Sequence, residues 1–304
     1  MKEKISILRR LIVLLTLICV QRTEAQLLNG SNYDSLIRRY EMGYKDYTVM
    51  PILAAAARDL RQPELAARIA EDYIDNYLSV SDSFFTVKNI EFVQDFNVVA
   101  ANKGFWLYYR NSARINRIMN VPGFSESYID YIISKEDVDP VLIGNLTDSS
   151  FKLDWDKLNE NITTKYQRKY ADRVILDAKV RWYGYKKDTA ALVRCVSDKM
   201  NRYGVDTAGI QRLVSNNLIY YVIFMHCSDR AVLRKAAEWM KVVMAGQKQQ
   251  NPEFIDTYAN LLYKVGDIRL ALVAEERALQ YSSGDKGIRE NYDRMKKGLK
   301  TWTP

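Results

Sequence analysis

The 304-residue sequence predicts an all-α fold, a train of helices joined by short turns that reads as an α-solenoid. Three observations carry that prediction. Glycine (13) and proline (6) are scarce, and a sandwich or barrel of many short strands needs more turn residues. The Ala, Leu, Arg, Lys and Glu content favours helix. Apolar residues recur at helical spacing, as in Leu65, Ile69, Tyr73 and Tyr77.

The elements follow in order. SLIRRYEMGYK is a short amphipathic helix. In residues 49–79 Pro51 suits a first helical turn, Leu53, Ala54, Ala57 and Leu60 make an apolar stripe, and Gln62-Pro63 breaks the chain into a hairpin. Helices are expected over 90–102 and 104–119, and VPGF is a turn. Ser125 with Glu126 behind it reads as the start of the next helix. Residues 137–153, with Pro140, Gly144 and a Ser/Thr/Asp cluster, are the expected connecting loop between an N-terminal hairpin region (26–136) and a C-terminal helical region (154–304). Residues 155–185 hold one or two long helices. Asp188 caps a helix that ends at Gly204, and the run Leu218 to Met225 is apolar all round and therefore expected to be deeply buried. The helix over 227–246, the hairpin 251–279 and the charged helix GIRENYDRMKKGLKTW complete the chain.

The first 25 residues read as a secretory signal peptide: a basic start, the apolar run LIVLLTLICV and a polar tail ending at Ala25. Ten apolar residues are too few to span a bilayer, which takes about 20. Cys19 lacks the small preceding residue expected of a lipidated cysteine. The expected address is therefore periplasmic or secreted, with no membrane span after cleavage. Cleavage removes five cations and two acids, leaving 40 against 35, a net charge of +5. That suits solubility and gives no nucleic-acid footprint. Two cysteines then remain, Cys195 and Cys227, 32 residues apart and without a CxxC. In an oxidising compartment they can pair or stay free.

NPEFIDTYANLLYKVGDIRLALVAEERAL, residues 251–279, resembles a tetratricopeptide repeat. Ala259 is the small residue where two helices approach, Lys264-Val265-Gly266-Asp267 matches the turn, and Ala271 and Ala278 are the small residues of the second helix. Glu275 departs from the pattern, which has a bulky apolar residue there. A shift of 204 residues places Ala55 on Ala259, Ala67 on Ala271, Ile69 on Val273 and Glu71 on Glu275, so the first hairpin is its expected counterpart. The resemblance implies a right-handed solenoid of degenerate tetratricopeptide-like hairpins. A broader likeness, over most of 37–290, is to the helical extension that follows the redox domain in secreted thioredoxin-family proteins of Gram-negative bacteria. With no thioredoxin domain or CxxC here, it implies compartment and fold but no redox reaction.

Chemistry-bearing clusters are few. His226, the sole histidine, adjoins Cys227, but neighbouring helix residues point about 100° apart, which does not suit a nucleophile pair. Asp154 with Asp156, Glu71 with Asp72 and Glu275 with Glu276 are carboxylate pairs of the kind acid/base work requires, and of the kind solvated helix faces carry. Trp182, Tyr183 and Tyr185, in RWYGYKK, are the aromatics that could face a sugar or peptide ligand or pack on a neighbouring helix. Asn29, Asn145 and Asn161 are Asn-x-Ser/Thr positions, and Ser35, Thr189 and Thr207 follow aspartates, resembling an O-glycosylation site of some secreted bacterial proteins. The functional expectation is an exported, non-catalytic scaffold without cofactor or metal that binds a protein or peptide partner. The alternative is a carbohydrate binder or sugar-active helical enzyme of the cell envelope.

Overall fold

The computed structural model describes residues 30–97, 99–148, 151–247 and 249–302, and every helix, α, 3-10 or π, lies in an all-α architecture without a strand among them. The leader at 1–25, Cys19 and Asn29 lie outside the described residues. The chain divides between Glu136 and Asp137 into two compact units, each with its own core.

In the first unit, α1 (Gly30–Glu41) precedes the hairpin of α2 (Met50–Asp59) and α3 (Pro63–Asn76). Pro51 and Pro63 both sit in first turns, where their missing N–H costs nothing. Arg61, at φ 59°, makes the turn between them. The apolar stripe stops at Ala57: Leu60 is the C-cap of α2 and is exposed. Tyr73 of α3 packs edge-on against Phe92 of α4 (Val87–Phe96), 5.2 Å between centroids, and its hydroxyl donates to Asn89 Oδ1 at 3.1 Å.

The helix expected over 90–102 ends early, because Asn97 turns inward. It is buried, its side-chain amide donates to the Tyr128 hydroxyl at 2.9 Å and to the Val99 carbonyl at 3.2 Å, and Tyr128 in turn donates to the Asn97 carbonyl. α5 (Lys103–Met119) lies so close that a methyl at Gly104 would sit 2.7 Å from Asn97 Cγ and Oδ1. Side-chain burial there leaves room only for glycine. Ser125 does not open α6 (Phe124–Ile133). Gly123 is its N-cap, and Ser125 is buried, its N–H donating to Asn116 Oδ1 at 2.8 Å.

The expected loop at 137–153 is partly helical. A π-helical turn covers Ser134–Val138, and α7 (Asp139–Gly144) follows with Pro140 in its first turn. A proline read as a breaker thus opens a helix instead. The long stretch at 155–185 is two helices, α8 (Trp155–Lys165), capped by Asp154, and α9 (Arg168–Tyr185). Asp188 caps α10 (Thr189–Tyr203) as expected, accepting from the Ala191 N–H at 3.0 Å. α11 (Gln211–Leu218) runs into a π-helical segment, Ile219–Phe224. That wider turn rotates Tyr221 out to solvent, so the all-apolar run is buried except on one side. α12 (Arg230–Met244), α13 (Pro252–Val265), α14 (Ile268–Tyr281) and α15 (Lys286–Lys296) complete the unit.

Long cations close several chain ends here. Arg212 donates to the carbonyls of Val243 and Ala245, Arg230 to that of Val265, and Lys264 to that of Phe224. Each satisfies an orphan carbonyl at a helix C-terminus or π segment with a charge of the sign the helix dipole favours.

The burial patterns of the two outer hairpins agree one residue away from the register read in the sequence. Ala66 is buried like Ala271, whereas Ala67 is exposed. Ala54 is buried like Ala259, and Ala70 stands where Glu275 stands. Glu71 points to solvent. The two glutamates are therefore not equivalent: burial, not letter identity, fixes the register.

Candidate functional site

The aromatics expected to face a ligand do not form an open platform. Trp182 is 5 % exposed and packs edge-on against Phe151 and Trp155. The Tyr183 hydroxyl accepts a hydrogen bond from Trp155 Nε1 at 3.2 Å, and only Tyr185 is fully in solvent. Lys186 lies over the Trp182 ring and donates to the carbonyls of Leu146 and Asp148, at 2.9 and 2.7 Å. RWYGYKK therefore anchors the segment after α7. The packing reading of its rings holds for Trp182 because the α9 interior needs a large side chain there.

Cys195 and Cys227 are separate thiols in this structure. They belong to different elements and point into different surroundings: Cys195 is half-buried on α10, and buried Cys227 donates to the Asp229 carbonyl at 3.9 Å. Burial raises both thiols above the usual range, which makes poor nucleophiles of them. His226 faces solvent beside the buried Cys227, so the two do not face each other. Among the described residues, no group of three or more His, Cys, Asp or Glu side chains could hold a metal ion, and no helix is long and apolar enough to cross a membrane.

The carboxylate pairs separate into three roles. Asp154 is a helix cap, accepting from the Lys157 N–H at 3.0 Å. Asp72 organises the first hairpin, accepting from the Tyr40 hydroxyl at 2.6 Å and the Lys45 ammonium at 2.8 Å. Glu275 belongs to a buried polar cluster that sequence reasoning missed except for its odd position in the repeat. On α13, Asp256 accepts from Asn260 Nδ2 at 3.0 Å and from Asn291 Nδ2 of α15 at 2.8 Å. Glu275 of α14 is fully buried, and the group that meets its carboxyl is the carboxyl of Asp256. Burial, followed by the charge of Asp256, pushes the Glu275 carboxyl up to about 11, so it is neutral at pH 7. Burial raises Asp256 too, and raises the Tyr220 hydroxyl to about 12. With Glu275 sealed from solvent, the cluster is a joint between α13, α14 and α15. It offers no open acid/base site.

Two open surfaces among the described residues bear on function. The first is a groove of about 340 Å³ where α8, α9 and α10 meet. α8 contributes Asp156, Asn159 and Glu160, and α10 contributes Asp198 and Arg202. From α9 come Arg168, Asp172 and Lys179, with Ile175 and Leu176 as an apolar floor. These positions are one turn apart on each helix, so each helix offers one face. The second surface is the outer side of α14. Its buried positions are Ala271, Glu275 and Ala278, small or polar, while Leu270, Val273 and Tyr281 stand outward at 53, 62 and 48 % exposure. Neither a protein-family model, nor a curated protein, nor a solved structure matches the chain.

Proposed function

We propose that this chain is an exported, non-catalytic helical scaffold that binds a protein partner. The observation that carries the reading is α14, where Leu270, Val273 and Tyr281 are turned outward while Leu272 and Leu279 alone among its larger apolar side chains pack on the core. A helix that folded only for its own unit would put its large side chains inside. Outward apolar residues interleaved with the charges of Glu276 and Arg277 are the composition of a recognition face. The partner chemistry that fits is another protein's apolar helix or hairpin face. The leader at 1–25 and the resemblance to helical extensions of secreted thioredoxin-family proteins support the exported address and an accessory role beside a separate partner.

A photo-crosslinking residue placed at Val273 is expected to give one discrete adduct on irradiation of cells. Leu270→Asp should abolish that adduct while helical circular dichroism stays unchanged. Labelling no stronger or more discrete than that from a crosslinker at the exposed Lys157 of α8 would refute the reading.

A further inference from the structure

We propose that the groove between α8, α9 and α10 binds a small zwitterion, a free amino acid or the free end of a short peptide. Four charged side chains of this groove stand outside any ion pair. On α8, Asp156 and Glu160 share one face; on α9, Arg168 and Lys179 share another, and all four line the groove. None of the four makes an ion pair or hydrogen bond among the described residues. Their neighbours in the same groove are satisfied: Arg202 pairs with Asp198 at 2.7 Å, and Asp172 accepts from Asn159 at 2.9 Å. Two anions and two cations are thus left uncommitted around one concave space.

On an ordinary solvated surface neighbouring opposite charges pair or point away, for little gain either way. Here they border a volume of about 340 Å³, within the size range of small-ligand sites. The floor, Ile175 and Leu176, is buried, and Lys179 is half-buried with its ammonium 5.6 Å from the Trp155 ring. An apolar floor lowers the local dielectric and strengthens each charge contact. A ligand of one sign would be repelled by one wall, and a neutral ligand would leave both walls unused. A dipolar ligand, its ammonium toward Asp156 or Glu160 on α8 and its carboxylate toward Arg168 or Lys179 on α9, engages both. This site is independent of the α14 face, so either proposal can fail alone.

The test is calorimetric titration of the full chain with tri-alanine, with N-acetyl-tri-alanine amide and with alanine. Tri-alanine is expected to bind saturably and the blocked peptide not to bind. Glu160→Lys and Lys179→Glu should each weaken binding about tenfold, as should a rise in salt that shortens the screening length. Both positions border solvent, and unchanged thermal unfolding would show the variants folded. Tighter binding of tri-alanine than of alanine marks a peptide end as the ligand, and equal binding marks the amino acid. Equal binding of the blocked peptide, indifference to both substitutions, or no saturable binding of either zwitterion would overturn the proposal.

Discussion

Glu275→Gln is expected to stabilise the protein by about 3 kcal/mol at pH 7. The reason is the proton that Glu275 must keep. Its carboxyl titrates near the ordinary 4.5 when unfolded and is pushed up to about 11 by burial when folded. A group whose folded value is raised contributes its full stability below the unfolded value. That contribution is lost as pH rises toward the folded value, by about 1.4 kcal/mol per unit. Between 4.5 and 7 the loss reaches about 3 kcal/mol, whatever the upper value. Glutamine has the same shape and no proton to surrender, and its amide can donate to Asp256. Denaturant unfolding from pH 4 to pH 9 checks this. The two proteins should be nearly equally stable at the acid end, and the wild type should fall behind steadily as pH rises. Parallel stability curves would show that Glu275 is not the buried neutral acid described. Asp256, also raised by burial, leaves the variant a residual slope of the same sign.

Gly104→Ala should destabilise the first unit by about 2 kcal/mol. Alanine gains up to about 1 kcal/mol over glycine in a helix. Against this, its methyl would lie 2.7 Å from Asn97 Cγ and Oδ1 and 2.9 Å from Asn97 Cβ. Overpacking of a filled core costs about 1–3 kcal/mol. Asn97 cannot swing away without breaking its bond to the Tyr128 hydroxyl, and a buried broken bond costs about 1–3 kcal/mol more. The steric and hydrogen-bond losses outweigh the propensity gain. In an Asn97→Ala background the same substitution should cost less, though still something, because the Cβ contact at 2.9 Å persists. A double-mutant cycle with no coupling between the two sites would contradict this account.

Much of the fold was legible from one-dimensional pattern. The prolines at 51 and 63, the capping Asp188 and the closing Gly204 mark helix ends through local backbone chemistry, and the helices begin and end there. Helix breaks that depend on tertiary contacts were not legible. Asn97 ends α4 because its amide is needed by Tyr128, 31 residues away, and Ser125 resembled a cap until burial claimed it. Pro140 carries the same letter whether it stops a helix or starts one.

The candidate sites divide in the same way. Trp182, Tyr183 and Tyr185 are alike in sequence, yet one is core, one is held by Trp155 and one is exposed, because α9 turns each residue about 100° from the last. Asp256, Asn260 and Asn291 gave no signal, since a polar residue on a charged helix looks solvated until another helix covers it. Glu275 alone stood out, as an acid where the repeat pattern has a bulky apolar residue.

By itself the sequence determined the helical class, the helix-and-turn rhythm and the leader-like start. These rest on propensity, periodicity and composition, which neighbours along the chain supply. Only the tertiary structure decided which face of each helix is covered. It made Glu275 a neutral core acid while leaving Glu71 in water, turned Leu270 and Val273 outward, and left four charges unpaired over Ile175 and Leu176. Burial and partnering depend on residues far apart in sequence, so no local pattern records them.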